Sequence, residues 1–210
     1  MVHVTFSRRR MFISLDGVDG AGKSTQIKLL CDALTARGYQ VAPFRDPGST
    51  KLGEAVREIL LHREDIPLAN TAEMLLYMAC RAQLVNEQLN PALQSGQTVV
   101  CDRFLLANVV YQGSAGGLDV DALWSVGNCA TGGLSPDKTI VLDLDPEVAF
   151  NRIQRGQDRL EKRGLDYFRK VRIGFLTEVK KLGPPSCYCI VDASQSIESV
   201  HQNILEYVFA

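Results

Sequence analysis

Five short apolar runs, each followed by helical periodicity, limit most strongly what this chain can fold into. The runs are Met11–Leu15, Tyr39–Phe44, Thr98–Cys101, Thr139–Leu144 and Tyr188–Val191. Between them, Ser24–Arg37, Leu52–His62, Thr71–Gln88, Leu105–Tyr111, Val120–Cys129, Pro146–Arg155 and Leu165–Leu182 carry apolar residues at helical spacing, and Ile197–Phe209 closes the chain. The first helix carries Ile27, Leu29, Leu30 and Leu34, and Gly38 supplies the stop. Strands that are apolar throughout, separated by helices, predict an α/β fold in which a five-stranded parallel sheet is covered by helices on both faces. Ligands of such sheets bind beyond the carboxyl ends of the strands. Chemistry is therefore predicted just after Leu15, Phe44, Cys101 and Leu144.

Composition narrows the function classes. The chain has 210 residues, 46% of them hydrophobic, enough to fill one sizeable core. With no repeat, linker or low-complexity tract, residues 1–210 read as a single domain. A formal net charge of −1 argues against a broad basic surface for nucleic acid. No apolar run reaches the ~18 residues of a membrane span, so no membrane partner is expected. Arg8, Arg9 and Arg10 precede an apolar run that ends at Asp16, too short for the core of a signal peptide. Cys31, Cys80 and Cys101 lie in apolar-periodic segments. Cys187 and Cys189 form a C-x-C pair with no partner pair at metal spacing. Reduced thiols and a cytoplasmic location are the expectation.

The first strand leads directly into Gly17-Val18-Asp19-Gly20-Ala21-Gly22-Lys23-Ser24, followed by Thr25. The pattern is G-x-x-x-x-G-K-[ST] between a strand and a helix, the arrangement of a loop that cradles phosphates. Backbone N–H groups turn inward around phosphate oxygens, and the helix amino terminus adds positive partial charge. Lys23 can reach the β- and γ-phosphates and the Ser24 hydroxyl can ligate Mg²⁺. This predicts binding of a nucleoside triphosphate. The third strand ends in Asp102, placed to hold Mg²⁺ or its waters beside the loop, and Arg103 follows, suited to a second phosphate-bearing ligand.

Residues 151–172 carry eight Lys and Arg against three acids, a local charge of +5 that leaves −6 for the rest of the chain. Gly156 and Gly164 interrupt its helical pattern, as hinges of a lid over about residues 151–164 would. Phosphoryl transfer between two anions needs positioning, cations and the exclusion of water. Arginines on a closing segment supply them.

Three further stretches complete a pattern: Arg45-Asp46-Pro47-Gly48-Ser49-Thr50, Tyr77 to Gln83, and Asn108-Val109-Val110-Tyr111-Gln112-Gly113. With the phosphate loop, Asp102-Arg103 and Asp158-Arg159-Leu160-Glu161, the set resembles the thymidylate kinase (dTMP kinase) family from about Met11 to Ala193, in order and spacing. The resemblance implies a P-loop nucleotide kinase fold with a helical lid, and transfer of the ATP γ-phosphoryl group to dTMP with Mg²⁺, giving dTDP for dTTP biosynthesis. It also implies a homodimer. Tyr77 takes the place of the aromatic that stacks on thymine, with Arg81 four residues on, able to donate to the base carbonyl. Asn108 matches the residue facing the base edge, with Gln112 in the same segment. Tyr111 would crowd the sugar 2′ position, and Asp19 would accept from the 3′-hydroxyl. Arg103 and Arg45 would hold the acceptor phosphate, Arg152 would lie against adenine near Asp192-Ala193, and Arg155 and Arg159 would meet transition-state charge.

The chain departs from the family pattern in places. Asp46 stands for glutamate and Ser49 for the second glycine of R-E-P-G-G-T. Phe104 replaces Tyr or His. Ala115-Gly116-Gly117 lacks the arginine of G-R-G, and the lid is one residue short before Asp158. Another P-loop nucleoside monophosphate or deoxynucleoside kinase is the nearest alternative, and a folded but inactive relative is another. A nucleotide-driven switch would want an N-K-x-D signature or a second lysine early in the loop, and the sequence has neither.

Overall fold

A computed structural model describes residues 10–153 and 159–210 of the chain. Five parallel strands form one sheet: β1 (Phe12–Gly17), β2 (Val41–Arg45), β3 (Thr98–Asp102), β4 (Lys138–Asp143) and β5 (Tyr188–Asp192). Their order across the sheet is β2-β3-β1-β4-β5. Side chains alternate across β1 and β3, and the core divides accordingly. Ile13, Leu15, Val100, Ile140 and Leu142 belong to one apolar cluster, and Phe12, Val99 and Cys101 to the other. Both faces of the inner strands β1, β3 and β4 are buried, as uninterrupted apolar runs require, while the edge strands β2 and β5 are only partly covered.

Helices α1 (Lys23–Ala36), α2 (Lys51–Leu61), α3 (Asn70–Leu84), α4 (Asn90–Gln94), α5 (Leu105–Asn108), α6 (Val120–Thr131), α7 (Pro146–Arg152), α8 (Leu165–Glu178) and α9 (Ile197–Phe209) connect and cover the strands. Two differ from what periodicity predicts. The helix expected over Thr71–Gln88 runs on to Gln94 through a π-helical turn at Val85–Leu89. Pro91 sits at the start of α4, where its missing N–H is tolerated. Likewise α5 opens into a wider turn at Val109–Ser114, which carries Tyr111 and Gln112. Single wide turns of this kind are frequent at functional sites.

Strand register then assembles the working end of the sheet. Asp102 pairs with Leu15 on one side and with Arg45 on the other. Hydrogen bonds continue past the strands, with the Arg103 N–H donating to Leu15 O at 2.9 Å and the Asp46 N–H to Asp102 O at 3.0 Å. The phosphate loop, the β2–α2 loop and the Asp102-Arg103 turn are thereby laid side by side. Behind the loop, a Cβ on Gly20 would stand 2.2 Å from the Ala149 carbonyl oxygen, so only glycine lets the loop rest against α7.

Candidate active site

The loop after β1 ends at Gly22, whose backbone is left-handed (φ 93°), and α1 begins with neither a side-chain cap nor an acid in its first turn. Such a helix end presents N–H groups and positive partial charge to an anion. Lys23 is buried beside it, its ammonium donating to Gly17 O at 3.1 Å and Val18 O at 2.9 Å, 3.7 Å from the Asp19 carboxylate. Burial and the nearby Arg103 charge lower its pKa. A cation held among carbonyls, short of solvent, is ready to exchange them for phosphate oxygens.

A cavity of about 670 Å³ opens over this loop, lined by Asp19, Gly20, Gly22, Lys23, Ser24, Thr25, Arg45, Asp102, Arg103 and Arg152 among others. Beside it a smaller, mostly apolar cavity is lined by Tyr77, Ala107, Tyr111, Leu160, Arg81, Asn108 and Gln112. Asp19, Asp46, Arg57, Leu61 and Arg103 line both. A third hollow, bounded by Gly20, Gly22, Thr25, Arg152, Ala193 and Gln195, lies at the end of β5.

The shared wall is built around Asp19. Arg103 Nη2 donates to Asp19 Oδ1 at 2.8 Å and to the Tyr111 hydroxyl at 3.0 Å, and that hydroxyl donates to Asp19 Oδ2 at 3.1 Å. Although burial pushes the Asp19 carboxyl up, Arg103 and Lys23 outweigh it and hold the group well below the usual carboxylate range. Burial likewise opposes the Arg103 charge, yet Asp19 keeps it firmly protonated. The Arg103 backbone lies in the left-handed region (φ 69°), an uncommon conformation for an arginine that turns the chain sharply out of β3. Its Nη1 is buried with no hydrogen-bond partner, as is Asp102 Oδ1 in the wall of the larger cavity. Buried polar atoms left unmatched at the same cleft fit ligands that bring an anion and a cation.

The smaller cavity is braced by charge. Arg81 is 1% exposed, with Nε donating to Asp46 Oδ2 at 2.6 Å, Nη1 to Asn108 Oδ1 at 3.0 Å and Nη2 to the Phe104 carbonyl at 3.3 Å. A second Nη1 contact goes to Met78 Sδ at 3.2 Å, which leaves one Nη2 hydrogen. Tyr111 is locked by edge contacts with Tyr167 and Phe175, and its carbonyl accepts from the Tyr167 hydroxyl at 2.7 Å.

Most residues singled out from the sequence thus converge on these cavities. Arg45 borders the larger one only, its Nη2 3.0 Å from both Glu54 oxygens. Arg159 stands apart from both. It donates to the carbonyls of Arg63 and Ile66 in the α2–α3 connection, the latter at 3.0 Å, and its own N–H donates to Leu61 O at the C-terminal end of α2. Arg155, Asp158 and the expected hinge residue Gly156 lie outside the described residues. Ser49 adopts a left-handed backbone (φ 62°) where the family pattern has glycine, and its Oγ accepts from the Arg45 N–H at 2.8 Å. At Gly116 a Cβ would stand 2.5 Å from Gln112 O, so this backbone excludes the arginine that G-R-G would place there.

Sequence reasoning passed over Arg57, which borders both cavities and donates to Pro47 O at 3.0 Å. It read as one polar position on a helix. The available signal was its place after a helix start that faces the strand ends, where Thr50 caps α2. Asp46 was noted only as a departure from the family pattern, and Asp16 was missed. Asp16 is fully buried behind the loop, touching the Ser14 hydroxyl at 3.3 Å, with Oδ1 unpartnered. Among the described residues no group of three or more His, Cys, Asp or Glu could hold a metal by itself.

The chain is similar to known proteins along most of its length. Residues 15–204 match the family model described as thymidylate kinase. A thymidylate kinase of Rhodopirellula baltica is 45% identical over 91% of this chain and 77% of its own length. That of Caldanaerobacter subterraneus subsp. tengcongensis is also 45% identical, over 95% of each chain. The crystal structure of thymidylate kinase from Ehrlichia chaffeensis superposes with a TM-score of 0.77 at 27% identity, covering 96% of this chain and 99% of that one.

Asp16 yields a test of the site's electrostatics. Burial pushes its carboxyl up from 3.8 to about 7, against the pull of Arg103 and Lys23. An acid whose folded pKa exceeds its unfolded value takes up a proton on folding, so stability falls as pH rises between those two values. Asp16→Asn cannot ionise, and its stability relative to wild type should rise by a few kcal/mol between pH 4 and pH 8, read from urea midpoints. A wild-type-to-variant difference independent of pH would refute the assignment.

Proposed function

The chain belongs to the thymidylate kinase family, and from that premise we propose how its cavities divide the phosphorylation of dTMP by ATP. It is an ATP-dependent nucleoside monophosphate kinase that makes dTDP, a step of dTTP biosynthesis. In our reading the larger cavity takes the triphosphate, cradled by Gly17, Val18, Asp19, Gly20, Ala21, Gly22, Lys23, Ser24 and Thr25. Arg152 lies against adenine in the hollow beside Ala193. The smaller cavity takes dTMP, with Tyr77 against the thymine ring and Arg81, Asn108 and Gln112 at its polar edge. The remaining Arg81 Nη2 hydrogen suits a base carbonyl. Tyr111 crowds the sugar 2′ position and Asp19 accepts from the 3′-hydroxyl.

The observation that carries this reading is the common wall. An acceptor phosphate and a donor γ-phosphate in adjacent cavities meet at Arg103, whose buried Nη1 is without a partner. The acceptor phosphate oxygen is already a nucleophile, so no side chain has to remove a proton from it. What the chain supplies is alignment and cations: Lys23, Arg103, Arg57 and Arg45 around the anions, with Asp19 holding Arg103 in place. Apolar Leu61 and Leu160 help keep water out. Ser24 and Asp102 would hold Mg²⁺, which supplies charge neutralisation on the phosphates. Asp102 Oδ1, buried and unmatched, fits that ion.

The rest of the reading concerns architecture. Residues 1–210 act as one domain with a lid over about 151–164, hinged near Gly164 (φ 83°). Arg155 and Arg159 swing from it to the transferring group. Among the described residues no helix is long and apolar enough to cross a membrane, and we assign the enzyme to the cytoplasm with no nucleic-acid partner. We propose a homodimer, as the resemblance to the family suggests.

Three measurements bear on this. With ATP, dTMP should be phosphorylated far faster than dCMP, dGMP or UMP, and equal rates would point to another nucleotide kinase. Lys23→Ala and Arg159→Ala should each lower single-turnover rates on the order of 10²-fold or more, and an unaffected Arg159→Ala would move that role to Arg155. Light scattering should give twice the mass of one chain, and a single-chain mass would contradict the dimer.

A further inference from the structure

One polar chain in the acceptor cavity ends in a residue that none of these assignments includes. Glu73, Tyr77 and Arg81 recur at four-residue spacing and so share one face of α3. Asn108 and Gln112, also four apart, face them. Two rungs join the helices. Arg81 Nη1 donates to Asn108 Oδ1 at 3.0 Å, and Gln112 Nε2 donates to Glu73 Oε1 at 2.9 Å. Asn108 Nδ2 closes the circuit by donating to Gln112 Oε1 at 2.6 Å. Tyr77 lies between the rungs.

The direction of this chain is fixed by its ends. A guanidinium only donates and a carboxylate only accepts, whereas a side-chain amide can turn either way. Arg81 demands that Asn108 turn its oxygen to the guanidinium, and Glu73 demands that Gln112 turn its nitrogen to the carboxylate. The two demands agree. Glu73 is 2% exposed and is itself held by Arg163, whose Nη2 lies 3.0 and 2.8 Å from its two oxygens. That pairing keeps the buried carboxylate in place at the foot of the basic segment.

Resting on the acceptor-site reading above, we propose that Glu73 is a positioning residue that sets the polarity of the Asn108–Gln112 amides and thereby the choice of pyrimidine. With its nitrogen committed to Gln112, Asn108 presents a carbonyl oxygen that still has acceptor capacity. Thymine offers an N–H donor at N3 beside its O4 acceptor. Cytosine offers the reverse, an N3 acceptor beside an amino donor. An amide pair locked in one direction accepts the first edge and leaves the second unmatched. Loss of the carboxylate frees Gln112 to turn and leaves Arg81 holding one end alone.

The test compares Glu73→Gln and Glu73→Asp in the full chain at saturating ATP, reading the ratio of kcat/KM for dTMP to that for dCMP. This ratio cancels the fraction of active enzyme, so partial misfolding does not alter it. The near-isosteric Glu73→Gln should lower the ratio about tenfold, as expected for one hydrogen bond, with KM for ATP unchanged. Glu73→Asp keeps an acceptor-only end and should retain more of the ratio despite fitting the site less well. A purely structural role predicts the opposite order, or equal losses for both acceptors, and either result overturns the proposal. If the wild-type enzyme does not prefer dTMP to dCMP, the acceptor reading falls and this inference with it. A preference that survives in Glu73→Gln removes this inference alone.

Discussion

The contact on which the rest of the site depends is the pairing of Arg103 with Asp19 across the ends of two neighbouring strands. Asp19 belongs to the loop after β1 and Arg103 to the turn after β3, and strand register sets their spacing. Even a partly buried charge is costly unless it is paired and hydrogen-bonded. Here the carboxylate receives Arg103 and the Tyr111 hydroxyl, while the guanidinium retains one nitrogen for a ligand. The same pair therefore joins the phosphate loop to the acceptor cavity and aims an unsatisfied cation at the boundary between them.

Several other features serve that boundary. Asp46 neutralises Arg81 at 2.6 Å, which allows an arginine into the wall of a mostly apolar cavity. Tyr167 and Phe175 fix the Tyr111 ring, so α8 steadies a residue of the α5 turn. Arg163 and Glu73 carry the network outward to the segment where positive charge concentrates. Near-neutrality of the whole chain conceals this arrangement, because +5 in residues 151–172 is offset by −6 elsewhere.

Much of the fold was legible in the sequence because parallel strands buried on both faces leave uninterrupted apolar runs. The phosphate loop was legible because glycine, lysine and serine each answer a separate geometric demand. Less visible were the places where helices depart from regular spacing. The π-helical turns at Val85–Leu89 and Val109–Ser114 leave no apolar signature. Asp16, Glu73 and Arg57 were missed because a charged residue on a mostly apolar face is recognised only once its partner is known. Ser49 and Gly116 were noted as departures, and their consequences needed backbone angles and neighbours.

The claim that two cavities meet at Arg103 is tested most directly by a crystal structure with dTMP and a non-hydrolysable ATP analogue both bound. The account predicts the dTMP phosphate and the γ-phosphate of the analogue on either side of the Arg103 guanidinium, each within hydrogen-bonding distance. A complex in which Arg103 touches neither phosphate, or in which thymine lies away from Tyr77 and Asn108, would contradict it.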